Sequence, residues 1–138
     1  MILVSACLAG CNCKYNGKNN NVDQILELVK ANKAITICPE VLGGLPTPRQ
    51  PAEIQVINGE IHVINKVGED VTNEFLKGAE KTLEIARDLM PSKIILKSKS
   101  PSCGFGRIYD GTFTGTLKEG NGLTAELLYK NGFKIEEM

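Results

Sequence analysis

The sequence predicts an α/β fold: a single three-layer domain spanning residues 1–138, with a mostly parallel sheet and an inserted β-hairpin. Three observations predict it. Short apolar runs alternate with one-sided helical stretches, the pattern of βαβ units with helices packed on a parallel sheet. Asn58-Gly59 separates two alternating apolar segments, and this pair suits a two-residue hairpin turn because both positions need φ > 0. The length of 138 residues, with 42% hydrophobic and 23% charged residues, is that of one globular domain able to bury a real core.

The elements follow in order. Ile2–Ser5 reads as a short buried strand, ended by a Gly/Asn-rich loop. Asp23 is a candidate N-cap for a helix ending near Asn32, with Ile25, Leu26, Leu28 and Val29 on its apolar side. Ala34–Cys38 is a second strand, so the first three elements form a βαβ unit with a right-handed crossover. Cys38-Pro39-Glu40 opens a long irregular stretch. The Gly43–Pro51 segment contains three prolines, which remove donors and fix φ, so it is neither helix nor central strand. Long loops of this kind in compact domains are usually functional. The hairpin is Ile54–Ile57 and Glu60–Ile64. Asp70 or Thr72 caps a long helix to about Met90, with Phe75, Leu76, Ala79, Leu83, Ala86 and Met90 on one face. Pro91 ends it. Ser92–Lys97 is a strand, Ser98–Gly106 a loop, and Ile108–Leu117 an irregular arm. A helix from about Leu123 to Asn131 stops at Gly132, and Phe133–Ile135 is a final strand. The pattern β-α-β-(hairpin)-α-β-α-β implies a Rossmann-like sheet.

Composition narrows the function classes. Sixteen basic and sixteen acidic residues give zero formal net charge, so no long-range field favours nucleic acid or an anionic membrane. No segment approaches a membrane span in length. The N-terminus lacks the basic start and long apolar stretch of a signal peptide. A cytoplasmic location is expected, where thiols stay reduced.

Five cysteines then become informative. Cys7, Cys11 and Cys13 crowd the loop after the first strand. Cys38 and Cys103 also follow apolar runs. An odd count leaves a disulfide framework incomplete, and clustered cytosolic cysteines are more often metal ligands or catalytic thiols. A small buried hydrophobe is the plain alternative for any one of them. On the strand pattern, Cys7, Cys38 and Cys103 fall at or beyond the C-terminal ends of three strands, the edge where open α/β sheets bind ligands. Cys-x3-Cys-x-Cys matches no common zinc pair. Three thiolates from three loops suit an iron–sulfur cluster with one iron lacking a protein ligand, with zinc close behind and a purely thiol redox role third.

Other side chains qualify by position. Glu40, two residues beyond Cys38, can act as a general base for water; most glutamates are simply exposed. Ser98, Ser100 and Ser102 precede Cys103 at alternate positions and can orient a substrate or satisfy loop backbone. Lys14, Lys97, Lys99 and Arg107 are candidates for a local basic rim. Gly120-x-Gly122 is a tight turn, lacking the third glycine of a dinucleotide fingerprint. His62, the single histidine, falls in the hairpin, so no Cys/His dyad forms near the cysteines.

Several motifs together carry a resemblance across nearly the whole chain. They are Cys7-Leu8-Ala9-Gly10 with Cys13-Lys14-Tyr15-Asn16-Gly17, Cys38-Pro39-Glu40, Gly43-Gly44-Leu45-Pro46-Thr47-Pro48-Arg49, Pro51-Ala52-Glu53, Asp70-Val71-Thr72, Ser100-Pro101-Ser102-Cys103-Gly104 and Ile108-Tyr109-Asp110-Gly111-Thr112-Phe113. In these the chain resembles the domain of unknown function 523 family, which includes the bacterial thiouracil desulfurases. The resemblance implies an oxygen-sensitive [4Fe–4S] cluster held by three cysteines, which aerobic preparations would lose or exchange for another metal. It also implies non-redox conversion of a 2-thiouracil-like base, free or in tRNA, to the oxo base with release of sulfide. Cys38 and Cys103 match single cysteines of clear motifs. Cys7 and Cys13 both match in the first motif; Cys7 is favoured for its strand-end position, and Cys11 falls at a variable position. Lys14 and Asn16 stand where the pattern often has Arg and Asp.

The expected scheme makes Glu40 the base that activates water, with Ser100 or Ser102 orienting the thiolated base. Arg49 and Pro48, in the rigid 44–51 loop, would shape the substrate pocket. The alternative is a non-catalytic thiol- or zinc-binding protein, or a sulfur carrier. The sequence carries no signal for an oligomeric state.

Overall fold

The computed structural model describes Met1–Met138. Its centre is a parallel sheet of four strands: β1 (Ile2–Ser5), β2 (Ala34–Ile37), β5 (Lys93–Leu96) and β8 (Ile135–Glu137), in the order β2-β1-β5-β8. Leu3 of β1 sits opposite Ile35 on one side and Ile94 on the other. Side chains alternate across the sheet, as the two-residue strand period requires. Val4, Ala34 and Ile95 pack with Ile25 of helix α1 (Asp23–Lys30) on one face. Leu3, Ile37, Ile94 and Leu96 pack on the opposite face with Leu83 and Ala86 of α3 (Thr72–Leu89) and Ala125 and Leu128 of α4 (Leu123–Lys130). Two separate apolar clusters on the two faces of one sheet make the expected three-layer α/β domain.

Helix α1 joins β1 to β2 on one face, whereas α4 joins β5 to β8 on the other. The crossover direction therefore changes between β1 and β5, and a crevice opens beyond their C-terminal ends. The Lys97 amide donates to Ser5 Oγ at 3.0 Å, tying those two strand ends together. The inserted hairpin, β3 (Ala52–Ile57) and β4 (Glu60–Asn65), is antiparallel and separate from the main sheet. Asn58 and Gly59 take φ of +52° and +80° at its turn, as the pair predicts. Ile54 and Val63 of the hairpin pack with Phe75 of α3 and Ile108 in a third cluster.

The structure corrects several local expectations. Pro39–Leu42 is a short helix, α2, inside the stretch read as irregular; Pro39 occupies its first turn, where a missing N–H costs nothing. The 108–117 arm contains two short antiparallel strands, β6 (Arg107–Tyr109) and β7 (Leu117–Glu119), joined by the 110–116 turn. Asp23 is the first residue of α1 and makes no capping bond. At the start of α3, Asp70 Oδ1 accepts from the Thr72 amide at 2.9 Å, so Asp70 supplies the expected side-chain contact from two residues before the first residue of the helix. The buried face of α3 uses Gly78 and Thr82 in place of Leu76 and Met90, which are exposed. Met90 lies beyond the last turn with φ of +52°, so it leaves the helical face altogether.

Candidate active site

Three loops leave the C-terminal edge of the sheet, and each carries a cysteine. Ser5 ends β1, and Ala6–Ala9 form a single 3-10 turn that contains Cys7. Gly10, with φ of +84°, reverses the chain. Asn20 folds back over the turn: its amide donates to the Cys7 carbonyl at 2.9 Å and its Nδ2 contacts Cys7 Sγ at 3.8 Å. Cys7 is buried, and burial pushes its thiol up despite the opposing contact from Asn20.

Cys38 follows β2 directly and opens α2. The close packing of α2 on α3 fixes its place. A Cβ added at Gly78 would lie 1.9 Å from the Pro39 carbonyl oxygen, and one added at Gly43 would lie 1.9 Å from that of Glu74. Backbone therefore meets backbone at both ends of α2, which only glycine permits. The Cys38 thiol is pulled down to about 7, first by a hydrogen bond from the Cys13 thiol, against the opposing effect of burial, and further by the Val41 N–H. Cys13, which keeps the shared proton, is pushed up. The Cys13 carbonyl also lies 3.9 Å from Cys38 Sγ.

Cys103 sits in the loop after β5, 5% exposed. Ser100 Oγ accepts from the Cys103 amide at 2.7 Å and from that of Ser102 at 3.3 Å, so this hydroxyl shapes the turn that presents the thiol. A Cβ on Gly104 would meet the Ser100 carbonyl at 2.7 Å, and one on Gly122 would meet that of Ser102 at 2.4 Å. The loop is thus pressed directly onto the start of α4. Burial pushes the Cys103 thiol up to about 12, reinforced by the Glu40 carboxylate and by Cys38 and Cys7.

Cys7, Cys13, Cys38 and Cys103 all line one cavity of about 850 Å³ at the crevice between β1 and β5. Cys11 is exposed and lies outside it. No three His, Cys, Asp or Glu side chains are close enough to share a single metal ion. Thiolates of a polynuclear cluster bind different irons and stand farther apart, so the donor set suits a cluster better than one zinc. The burial of Cys7 and Cys103 points the same way: buried thiols resist ionisation unless a metal takes the place of the proton.

Glu40 also lines the cavity. Its Oε2 accepts from Arg49 Nη2 at 2.8 Å and Nε at 3.0 Å. Its Oε1 has no partner in the chain and remains accessible, since Glu74 Oε2 is the one buried side-chain N or O atom without a hydrogen bond. Arg49, with its side chain 7% exposed, also donates to the Pro46 and Cys13 carbonyls and to Thr47 Oγ1. It thereby clips the 44–51 loop to the first cysteine loop. Pro48 is exposed and does not line the cavity. Ser100 and Ser98 line it, whereas Ser102 is 1% exposed and pairs with Thr124 Oγ1 at 2.9 Å, outside the cavity. Lys14, Lys97 and Lys99 line it and Arg107 does not. Glu53, Tyr109 and Phe113 are further wall residues, from β3 and the β6–β7 arm. They enter the sequence reading only inside family motifs. Their signal is a carboxylate and aromatic rings in Gly/Thr-rich segments, which alone does not point to a site.

The chain matches known proteins over nearly its whole length. The family model described as 2-thiouracil desulfurase matches residues 2–137. The uncharacterized protein YbbK of Bacillus subtilis (strain 168) is 48% identical over 141 residues, covering 98% of this chain and 93% of that protein. A solved structure of the [4Fe-4S]-dependent thiouracil desulfidase TudS matches with a TM-score of 0.90 and 43% identity, covering 99% of this chain and 89% of that one.

Proposed function

This chain belongs to the 2-thiouracil desulfurase family, and on that premise we propose that it is an iron–sulfur enzyme that hydrolyses the C–S bond of a thiolated pyrimidine. The products are the oxo base and sulfide. The observation that carries the reading is the meeting of three strand-end thiols in one cavity with a carboxylate that has a free oxygen. Cys7, Cys38 and Cys103 would hold a [4Fe–4S] cluster, with Cys13 as the second candidate for the first position. When bound, such a cluster supplies a Lewis-acidic iron with affinity for sulfur.

The chain's own residues do the rest. Arg49 holds Glu40 by Oε2, which leaves Oε1 free to take a proton from water. Water so activated attacks the thiocarbonyl carbon; the C–S bond breaks and sulfur leaves as hydrosulfide. No electrons are gained or lost. Ser100 accepts two backbone N–H groups, and its own proton has no acceptor in the chain, so it can donate to the substrate. Ser102 supports the cysteine loop from behind through Thr124. Arg49 shapes the pocket by fixing the 44–51 loop. The substrate is a 2-thiouracil-like base, free or in tRNA; Lys14, Lys97 and Lys99 give the cavity a basic side that suits the second.

The test is anaerobic cluster reconstitution followed by a sulfide assay over free thiolated bases and thiolated tRNA. A brown protein with broad visible absorbance that releases stoichiometric sulfide and oxo base is expected. A cluster-loaded protein that releases none from any of them would overturn the reading. Glu40→Gln should keep the cluster and lose turnover; full turnover would remove Glu40 as the base.

A further inference from the structure

One wall of the cavity carries chemistry that the desulfuration scheme leaves unused. Glu53, on β3, is 8% exposed and lines the cavity. Its Oε1 accepts from the Gly111 amide at 2.9 Å and the Phe113 amide at 3.2 Å. Its Oε2 has no hydrogen bond within the chain, yet it is not sealed off. No lysine, arginine or histidine forms an ion pair with it. A largely buried carboxylate therefore keeps one oxygen open to the cavity. Burying an acceptor costs free energy unless a donor meets it.

The turn that Glu53 holds supplies the second observation. Phe113 has φ of +57°, which is unusual for a bulky side chain and persists only when its surroundings enforce it. Enforcement comes from Glu53 and from close docking on β3. A Cβ on Gly111 would lie 2.7 Å from the Ile54 carbonyl oxygen, and Gln55 Nε2 donates to the Gly111 carbonyl at 2.9 Å. Phe113 belongs to none of the three apolar clusters, so its ring does not serve the core. It lines the cavity instead.

We propose that Glu53 and Phe113 form the base-recognition subsite. Glu53 Oε2 accepts the ring N–H beside the thiocarbonyl, and the Phe113 ring offers the face on which the planar heterocycle stacks. The inference rests on the desulfuration reading and names its substrate class: a cyclic thioamide or thioimide with a free N–H. A pyrimidine joined to a sugar at N1 still offers N3–H and is admitted. One alkylated at both N1 and N3 is rejected, because it leaves the carboxylate unpaired.

The experiment uses the cluster-loaded protein. Calorimetric binding of 1-methyluracil and 1,3-dimethyluracil is measured for the wild type, Glu53→Gln and Phe113→Ala, together with sulfide release from 1-methyl-2-thiouracil and 1,3-dimethyl-2-thiouracil. Glu53→Gln keeps a carbonyl for the Gly111 and Phe113 amides but turns the free end into a donor. The wild type should bind 1,3-dimethyluracil about 10- to 100-fold more weakly than 1-methyluracil, the range for a hydrogen bond to a charged group. Glu53→Gln should weaken 1-methyluracil by a similar factor and abolish the discrimination, with cluster absorbance unchanged. Phe113→Ala should weaken both ligands by about 5- to 100-fold, the range of base stacking on an aromatic ring. Equal wild-type affinity for the two uracils overturns the proposal, and so does discrimination retained in Glu53→Gln. Discriminating binding without sulfide release from any thiolated base would sink the desulfuration reading and leave the subsite standing.

Discussion

Gly78 lies one helix away from the reacting groups, and its substitution tests how they are placed. A methyl group there would sit 1.9 Å from the Pro39 carbonyl oxygen and 2.8 Å from its carbon, where real Cβ contacts are essentially never shorter than 3.0 Å. In Gly78→Ala, α2 and α3 must therefore separate by about 1.1 Å at this point. Both atoms belong to backbone, so no side chain can swing away to make room. Overpacking of this kind costs about 1–3 kcal/mol, a fall in Tm of roughly 3–12 °C for a chain of this size. The displaced helix follows Cys38 directly and carries Glu40, so the proposed cluster ligand and the proposed base move together. A misplacement of about 1 Å can cost on the order of 100-fold in rate. Scanning calorimetry, iron content after anaerobic reconstitution and initial rates of sulfide release measure the three effects. Gly43→Ala, facing the Glu74 carbonyl at 1.9 Å, should reproduce them. Lys77→Ala, on the exposed side of the same helix, should change stability by less than about 0.5 kcal/mol. Wild-type Tm and turnover in Gly78→Ala would refute the argument that this contact sets the position of Cys38 and Glu40.

Three further outcomes are expected. Cys11→Ser should bind iron like the wild type, whereas Cys7→Ser, Cys38→Ser and Cys103→Ser should each lose the visible absorbance; a colourless Cys13→Ser beside a brown Cys7→Ser would reassign the first ligand. Arg49→Met should cost about 1–3 kcal/mol in urea unfolding, since it leaves Glu40 and the Cys13 and Pro46 carbonyls without their donor; an unchanged midpoint would count against the clip. Asp70 is held down to about 2, first by the Thr72 hydroxyl and amide and then by His62. Because its folded value is depressed, its contribution is full above the ordinary carboxylate range and disappears as pH falls through about 2. Asp70→Asn should therefore be less stable than the wild type near neutrality and converge with it in acid, and parallel acid titrations followed by circular dichroism would expose a constant gap.

The strands and long helices were legible because they obey a single period. Ile2–Ser5 matches its expected bounds, and the other three sheet strands overlap theirs or shift by about two residues. The departures occur where tertiary contacts override local pattern. Four residues of α2 between Cys38 and two glycines are too few to show a helical period, and what holds them is the contact with Gly78, a residue 35 positions beyond Gly43. Apolarity alone assigned Leu76 to the inner face of α3, whereas Phe75, Gly78, Ala79, Thr82, Leu83 and Ala86 fill that face and leave Leu76 exposed. At the site, strand-end positions made Cys7, Cys38 and Cys103 legible together. The neighbouring roles were not. Ser100 and Ser102 are equivalent in sequence, yet one lines the cavity and the other faces Thr124. Arg49 reads as a residue that shapes the pocket, but its place in the sequence does not show that its donors are spent on Glu40 and on carbonyls of two loops.

The distribution of the thiols over three segments has a consequence for the lifetime of the chain. Cys7, Cys38 and Cys103 are up to 96 positions apart in sequence and meet only when β1, β2 and β5 lie side by side. A group held by all three binds the native state and has no comparable site on the unfolded chain. Occupancy then adds to stability by mass action, by about 2.7 kcal/mol when the free group is a hundredfold above its dissociation constant. Cluster supply would thereby act as a thermostat on abundance: chains made faster than clusters can be loaded would spend more time open to proteases than their loaded siblings.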